Sequence, residues 1–364
     1  MVLLPCTWHP GSLIGRCPDL PDRLLAELPA DEYRLTLVLH LNVWSGHRAW
    51  QVQVAQRAAL AAGVLLIDPA EGWQQALTAS DVVIGDHGST TLHGTALGKP
   101  VLLEAFGEAA VPGAAGHPLH RSVPLLDRSA PMRPQIDEVL SEHRPQLLAT
   151  VTGRASTEQE PAFPRLRHLL YQLLELDPPP GPSGRPRIFP PVPGDDAGPA
   201  TSFYVETVLT ASDAPSFRVS VRRYPAPVSE PGEESDSVLR HLASGAEEPD
   251  THLTDSASVL LCRRPSASSD ATHRRIAELR VHYTALLVVV PLPDGVLVDL
   301  RNGPRFAVRP AADRALLAPG PAAAAFYSTL RVKLRPELLD HSGLLLDLGS
   351  HCRELTIQKV PEPS

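Results

Sequence analysis

The sequence predicts an α/β protein in which a parallel sheet, covered by helices on both faces, is followed by a smaller α+β domain. Over the first 125 residues, apolar strand-like runs alternate with segments of helical spacing. Nine prolines then fall within the 24 residues 177–200, where no apolar periodicity continues. Such a composition is typical of an extended linker. We therefore expect a first domain with a helical extension over 1–176, a Pro-rich linker over 177–200 and a second domain over 201–364.

Five short apolar runs in the first domain have the near-continuous hydrophobicity of strands that are buried on both faces. Segments of helical spacing separate them, and Gly63 stands where a helix C-cap belongs. The short connections are typical of α/β units, so the strict alternation of strand and helix predicts a parallel sheet. The strands are expected at residues 2–4, 35–40, 64–67, 81–85 and 101–105, and the helices at 21–28, 47–62, 71–78 and 89–97.

The second domain has a different pattern, in which apolar and polar residues alternate within strand-like segments. Asp294-Gly295 stands between two apolar runs and predicts the turn of a β-hairpin. The strands are expected at residues 203–210, 217–223, 286–290, 296–300, 344–348 and 354–360, with a helix within 311–334 and an acidic loop over 225–250. This pattern predicts a small α+β domain, to which the sequence assigns no function.

The composition excludes several kinds of partner. Of the 364 residues, 33 are basic and 41 are acidic, and no basic run is longer than three, so nucleic-acid binding is not expected. No apolar stretch approaches the ~20 residues of a membrane helix, so any association with a membrane is expected to be peripheral. The four cysteines are far apart and form no C-x-x-C pair, which indicates a reduced, cytoplasmic chain without a structural zinc site.

The most informative stretch is 80–103, in which a buried strand leads into the turn D-H-G and the helix start S-T-T at residues 86–91. The first N–H groups of a helix carry partial positive charge, and the three hydroxyls add hydrogen-bond donors. Parallel sheets place ligands at the carboxyl ends of their strands, so this turn is predicted to bind an anion such as a diphosphate. Ordinary capping of the helix is the alternative interpretation.

The same stretch resembles the donor-binding domain of GT-B transferases, and most closely the CDP-glycerol glycerophosphotransferase family of teichoic-acid polymerases. The resemblance rests on the pattern D-x-x-I-x-D-x-x-S at residues 81–89, followed by a short helix and by K-P at 99–100 before an apolar strand. Residues 5–8, P-C-T-W, resemble that family's Pro-Thr-Trp loop, and residues 39–41, L-H-L, resemble its Leu-His-Pro loop. The likeness covers about residues 1–125 and implies a Rossmann-like sheet of the GT-B C-terminal-domain type.

The resemblance implies a transferase-like, glycosyltransferase-like protein that binds a nucleotide-diphosphate donor, CDP-glycerol or a nucleotide sugar, for a cell-wall polymer. It implies no metal and no organic cofactor. His87 and Gly88 stand where that family has Tyr and Ser, and Leu41 stands where it has Pro. In that family an acceptor-binding domain precedes the donor domain, and this chain begins where that domain would have ended. We therefore expect a chain that is inactive alone and an acceptor-domain partner protein.

Two other functions fit the same residues. One is a non-catalytic binding or scaffold protein that retains the GT-B donor fold. The other is a protein similar to nucleotide-sugar epimerases, which share that fold and a comparable phosphate-binding turn.

Ten residues are predicted to contact the donor, while the catalytic residues stay unassigned. His40 and His87 follow strands, where an imidazole can donate to a phosphate; a packing or surface role is the alternative for each. Glu71 opens a helix, where it can bind a ribose or sugar hydroxyl or simply interact with the helix dipole. The set is Thr7, Trp8, His40, Glu71, Asp86, His87, Gly88, Ser89, Thr90 and Thr91.

Overall fold

The computed structural model describes residues 1–68, 70–105, 113–114, 117–148, 151–153, 162–181, 200–211, 217–230, 237–266, 268–311, 318–332 and 343–361. The chain divides into two compact units. The first comprises Met1–Pro21, Leu35–Gln56 and Leu65–Asp196, and the second comprises Asp22–Arg34, Arg57–Val64 and Ala197–Ser364. Of the predicted linker, residues 182–199 lie outside the described residues. Within the described ranges, no helix has both the length and the apolar character that a membrane span requires.

The first unit is built on five short strands: β1 (Val2–Cys6), β2 (Leu35–Leu39), β3 (Leu65–Ile67), β4 (Val82–Gly85) and β5 (Val101–Leu103). They form one sheet in the order β3-β2-β1-β4-β5, and every neighbouring pair is parallel. All residues of β1, β2, β4 and β5 are buried, as expected for strands that are covered on both faces. This order places the carboxyl ends of β1 and β4 next to each other.

Short helices connect these strands and continue beyond them. Gly98 ends one of them with a φ of +71°, a left-handed conformation that glycine adopts without steric cost. Gly63, at +91°, lies where the sequence predicts a C-cap. The helices are α1 (Leu13–Arg16), α2 (Leu20–Glu27), α3 (Leu41–Gly46), α4 (Ala49–Ala55), α5 (Arg57–Ala61), α6 (Trp73–Ala79), α7 (Ser89–Ala96), α8 (Leu119–Ser122), α9 (Met132–Glu142) and α10 (Ala162–Leu173).

The second unit contains a closed barrel of nine strands. These are β6 (Ser202–Ala211), β7 (Phe217–Pro225), β8 (Leu239–Gly245), β9 (Val259–Leu261), β10 (Leu287–Leu292), β11 (Gly295–Leu300), β12 (Arg305–Pro310), β13 (Gly343–Leu348) and β14 (His351–Val360). Their order around the barrel is β10-β11-β12-β14-β13-β7-β6-β8-β9. The barrel is mixed, because β9 is parallel to both its neighbours and β13 is parallel to β7, while the other pairs are antiparallel.

The barrel closes around a helix. Besides α5, most of α2, α11 (Thr251–Asp255) and α12 (Ser269–His282), this unit contains α13 (Pro319–Arg331), which contacts β6–β11 and β13. Ten consecutive residues of α13, from Gly320 to Thr329, are buried. Four alanines in a row keep the helix narrow, so the Val, Leu and Phe side chains of the strands pack closely against it. The rings of Phe326 and Phe306 lie 5.1 Å apart in this core.

The predicted fold class is wrong. The sequence predicts a Rossmann-like α/β protein of the GT-B type with a smaller α+β domain, whereas the structure is a closed nine-stranded mixed barrel together with a small parallel sheet. The glycosyltransferase-like assignment, with its role in a cell-wall polymer, depended on that architecture and is withdrawn with it. The physical reason is that distant pairings close the barrel. Leu344 of β13, for example, lies opposite Phe217 of β7, and no local pattern encodes such a pair.

Three strands of the barrel, β8, β9 and β12, lie outside the segments that the sequence predicts as strands. The stretch 225–250, expected to be a loop, contains β8, which pairs with β6 on one side and β9 on the other. The last five residues of β8 are all buried, so the strand shows no alternation of apolar and polar residues. The acidic residues on which the loop prediction rested lie before and after β8 in the sequence, and none lies within it.

His241 makes the stability of the barrel depend on pH. Its side chain is only 6% exposed and its ring lies 4.2 Å from the ring of Tyr327 on α13. Burial lowers the pKa of His241 to about 3, so the unfolded chain takes up this proton at a higher pH than the folded chain does. The contribution of neutral His241 to the free energy of unfolding is therefore fully present above about pH 6.5, the pKa of histidine in the unfolded chain. It is lost as the pH falls toward 3.

We expect His241→Phe to remove this part of the pH dependence. Binding of one proton to the unfolded chain changes the free energy of unfolding by up to about 1.4 kcal/mol per pH unit. Between pH 6 and 4, the slope of this free energy against pH should be steeper in wild type than in the variant by nearly that amount. Urea denaturation at a series of pH values measures it. His252→Phe, at an exposed histidine on α11, is the control and should leave the slope of the wild type unchanged. Equal slopes for His241→Phe and wild type would contradict the prediction.

Candidate functional site

A buried carboxylate joins the loops at the carboxyl ends of β1 and β4. Asp86 directly follows β4 and is fully buried. Its Oδ2 accepts hydrogen bonds from the Thr7 backbone N–H (2.9 Å), from the Thr7 hydroxyl (2.8 Å) and from the Leu13 N–H at the start of α1 (3.1 Å). Its Oδ1 accepts from the Gly88 N–H at 2.9 Å. Asp86 and Thr7, both predicted donor contacts, therefore hold each other and the two loops in place.

Gly88 is the N-cap residue of α7, and close packing explains why it is a glycine. Its φ is −72°, which any residue adopts. A Cβ at this position would lie 2.6 Å from Thr7 Cγ2 and 2.9 Å from Asp86 Oδ1, closer than atoms can approach without a shift. The Ser that the resembled family has here would not fit against Thr7 in this arrangement.

His87 pairs with a second histidine that the sequence analysis did not single out. His9 Nε2 lies 3.1 Å from His87 Nε2, and the two rings stack with centroids 5.0 Å apart. The Nδ1 atom of His9 accepts a hydrogen bond from the Gly11 N–H, so neutral His9 carries its proton on Nε2 and donates it to His87. Burial lowers the pKa of His87, Asp86 raises it and His9 lowers it again. An anion beside His87 would favour its protonated form.

A cleft of about 580 Å³ lies beside the loop that carries these groups. Residues 6–10 form one wall, and residues of α1, β2, α3, α4 and Gln56 complete it. Trp8, which is 58% exposed, lies at this wall, as does His9. Cys6 also lines the cleft, but burial raises the pKa of its thiol to about 11, which disfavours the nucleophilic thiolate near neutral pH.

The hydroxyl residues of α7 have different surroundings. Ser89 is exposed and Thr90 is half-buried, so both can meet a ligand at the first turn of the helix, where N–H groups lack intrahelical partners. Thr91 is fully buried and its side chain packs against Gly85, where a Cβ would lie 2.2 Å from Thr91 Oγ1. A ligand contact of Thr91 through its hydroxyl would need this packing to change.

Two further predicted residues lie at neighbouring strand ends. His40 follows β2 and is the N-cap of α3, because its Nδ1 accepts a hydrogen bond from the Asn42 N–H. Its side chain is exposed. Glu71 follows β3, the edge strand, and is exposed. The structure thus brings Thr7, Asp86, His87 and Gly88 together, while Glu71 lies two strands away from β1. Their contacts with a donor stay predictions.

The structure adds residues that the sequence analysis missed. His9 and Ser12 belong to the loop after β1, and Ser12 caps α1 by accepting from the Gly15 N–H. Glu104 follows β5; its side chain is completely buried, with Arg128 Nε 3.4 Å from its Oε1. Burial raises the pKa of Glu104 and the charge of Arg128 lowers it. The sequence does contain a signal for Glu104, because a charged residue that directly follows a buried strand needs a partner of opposite charge.

In the described part of the chain, no group of three or more His, Cys, Asp or Glu side chains is close enough to hold a metal ion. Comparison of the chain with protein-family models, with curated proteins and with solved structures finds no match. The function therefore has to be argued from the geometry of this site.

We expect Asp86→Ala to destabilise the first unit strongly. The substitution leaves four donors, three N–H groups and one hydroxyl, without their acceptor, and each such loss costs about 1–3 kcal/mol when water does not replace it. A loss of about 3–5 kcal/mol in the free energy of unfolding is expected from urea denaturation. Asp81→Ala, at an exposed aspartate just before the same strand, is the control and should change little. A loss below about 1 kcal/mol for Asp86→Ala would contradict the assignment.

Gly88→Ala should destabilise the protein by about 1–3 kcal/mol, because the new Cβ overlaps Thr7 Cγ2. Thr7→Ser keeps the hydroxyl that donates to Asp86 and removes that methyl group. The double variant should therefore lose less stability than the sum of the two single variants. Denaturation of the four proteins forms a double-mutant cycle, and additive losses would show that the overlap with Thr7 is not the cause.

Proposed function

We propose that the first unit binds a small molecule with a diphosphate group, of the nucleotide-diphosphate class, at the carboxyl ends of β1 and β4. One observation carries the proposal. The loop after β1 lines a cleft of about 580 Å³ and, through His9, contacts His87 beside the first turn of α7. A cavity of the size that small ligands occupy therefore adjoins a group of donors suited to phosphate.

In this proposal the two ends of the ligand meet different groups. The diphosphate is bound by the first-turn N–H groups of α7, by the hydroxyls of Ser89 and Thr90 and by His87, whose protonated form an anion would stabilise. The remainder of the ligand lies in the cleft, where the exposed indole of Trp8 offers a flat apolar wall. Asp86 and Gly88 act as positioning residues, since they hold the two loops in register.

Transfer of a group from the bound donor stays a prediction of the resemblance. The residues of this site can stabilise the negative charge of a departing diphosphate by hydrogen bonds that are already oriented. They do not by themselves supply an oriented acceptor, whose proximity is worth roughly 7–11 kcal/mol of barrier in well-arranged reactions. Binding without transfer, as in a scaffold protein, requires the same donors and no acceptor.

Calorimetric titration with CDP, UDP and GDP tests the binding proposal. We expect the double variant Ser89→Ala, Thr90→Ala to bind at least about tenfold more weakly than wild type, since hydrogen bonds to charged groups are worth about 1.5–3 kcal/mol each. Ser141→Ala, at an exposed serine of α9, is the control and should bind as wild type does. Equal affinity of double variant and wild type, or no binding at millimolar ligand, would remove the site.

The same variants separate transfer from binding. Nucleotide release from CDP-glycerol in the presence of a polyol acceptor should not exceed the release seen with His87→Ala, Ser89→Ala if the chain only binds. Release that depends on Ser89 and His87 would instead identify a complete transferase, and release only after addition of a partner protein would identify a divided one.

A further inference from the structure

A second cleft, of about 990 Å³, opens on the barrel unit and has no part in the proposed site. It is lined by the C-terminal half of α12, by the end of β11, by the turn between β11 and β12, and by residues 359–361 at the end of β14. The sequence analysis assigned no function to this half of the chain. What distinguishes the cleft is the charge of its walls.

Four cationic side chains and one carboxylate line this cleft. The cations are Arg280, Arg301, Arg305 and Lys359, and among the described lining residues Asp299 is the one acidic side chain. The lining therefore carries a net charge of +3, although the whole chain has a formal net charge of −8. Concentrating one sign of charge in a cleft focuses the field on its interior and attracts anions.

Asp299 pairs with two of the arginines and uses one carboxylate oxygen on each. It is only 7% exposed; its Oδ2 accepts from Arg280 Nε and its Oδ1 from Arg305 Nε, both at 2.8 Å. Arg280 uses its remaining nitrogens on backbone carbonyls, with Nη1 donating to Ala285 O at 2.5 Å and Nη2 to Asp299 O at 2.6 Å. Burial lowers the pKa of Arg280, and its hydrogen bond to Asp299 raises it. Arg280 and Asp299 are thus part of the frame of the cleft.

Arg305 and Arg301 retain donors that the fold does not use. Arg305 is held by Nε alone, and its two terminal nitrogens donate to none of the described residues. Arg301 donates from Nε to Ala285 O at 3.1 Å and from Nη2 to Tyr283 O. Its other terminal nitrogen, Nη1, donates to none of the described residues. A guanidinium whose Nε is fixed presents its outer edge in a defined direction, which is the geometry for two hydrogen bonds to a phosphate.

We propose that this cleft binds the phosphate group of a small phosphorylated molecule. The phosphate would accept from Arg305 and Arg301 and be neutralised by Lys359, while Asp299 keeps Arg305 oriented. Val360 and the edge of Leu300 supply apolar surface for the rest of the molecule. The volume lies at the upper end of the range of about 300–1,000 Å³ found for small-molecule sites.

Calorimetric titration of the full chain with inorganic phosphate and with ribose 5-phosphate, neither of which carries the diphosphate group proposed for the first unit, tests the proposal. We expect Arg305→Lys to weaken binding by about tenfold or more, because lysine keeps the charge and loses the two-pronged geometry. Lys359→Gln, at an exposed side chain of the cleft, should weaken it about threefold. Thermal melting of each variant shows that the barrel is folded.

Arg309→Lys is the matched control, since Arg309 lies on the same strand as Arg305, pairs with Asp294 and does not line the cleft. It should bind as wild type does, and so should the double variant Ser89→Ala, Thr90→Ala, which separates this site from the one in the first unit. Absence of binding at about 5 mM ligand, or equal affinity of wild type, Arg305→Lys and Lys359→Gln, would overturn the proposal. Tighter binding of a single-stranded oligonucleotide of about ten nucleotides, weakened by the same variants, would overturn it in favour of a nucleic-acid site.

Discussion

The four hydrogen bonds that Asp86 accepts are the constraint on which the candidate site depends. Through them, one carboxylate connects the loop after β1, the start of α1 and the turn before α7. The position of His9 opposite His87 follows from the same connection, since each histidine belongs to one of the loops that Asp86 joins. The cleft wall formed by residues 6–10 is held in the same way. Because the carboxylate is buried and fully engaged, its loss would disturb all of these features together.

The barrel depends on a different kind of constraint, which is the volume that α13 occupies. An interior filled by a helix needs small residues on the helix and larger ones on the strands, and the run of four alanines beside Phe326 meets this requirement. The hydroxyl of Ser328 on this helix donates a hydrogen bond to the hydroxyl of Thr207 on β6 at 2.5 Å. The arginine cleft lies on this closed frame, with Asp299 as the carboxylate that holds its cations. The two proposed sites thus use the same principle of a buried aspartate that orients its neighbours.

Much of the first unit could be predicted from the sequence, because its elements are local. The runs at residues 2–4, 35–40 and 81–85 are apolar without interruption, and such runs form strands wherever both faces are covered. The turn after β4 could be located for the same reason. The partner of His87 could not, since His9 precedes it by 78 residues and meets it only because β1 and β4 are neighbours. The role of Gly88 was equally hidden, because it is decided by the methyl group of Thr7.

For this protein the sequence by itself determined where the five strands of the first unit lie, which strand ends carry hydroxyl and imidazole groups, and which segments lack apolar periodicity. Hydrophobic spacing, caps and turns act between residues close in the chain, and they are therefore readable from it. Only the tertiary structure decided that the second half closes into a barrel around α13, and that Arg280, Asp299 and Arg305 meet in one cleft. Those outcomes depend on pairings such as that of β7 with β13, whose stability comes from a shared core that exists only after the whole barrel has closed.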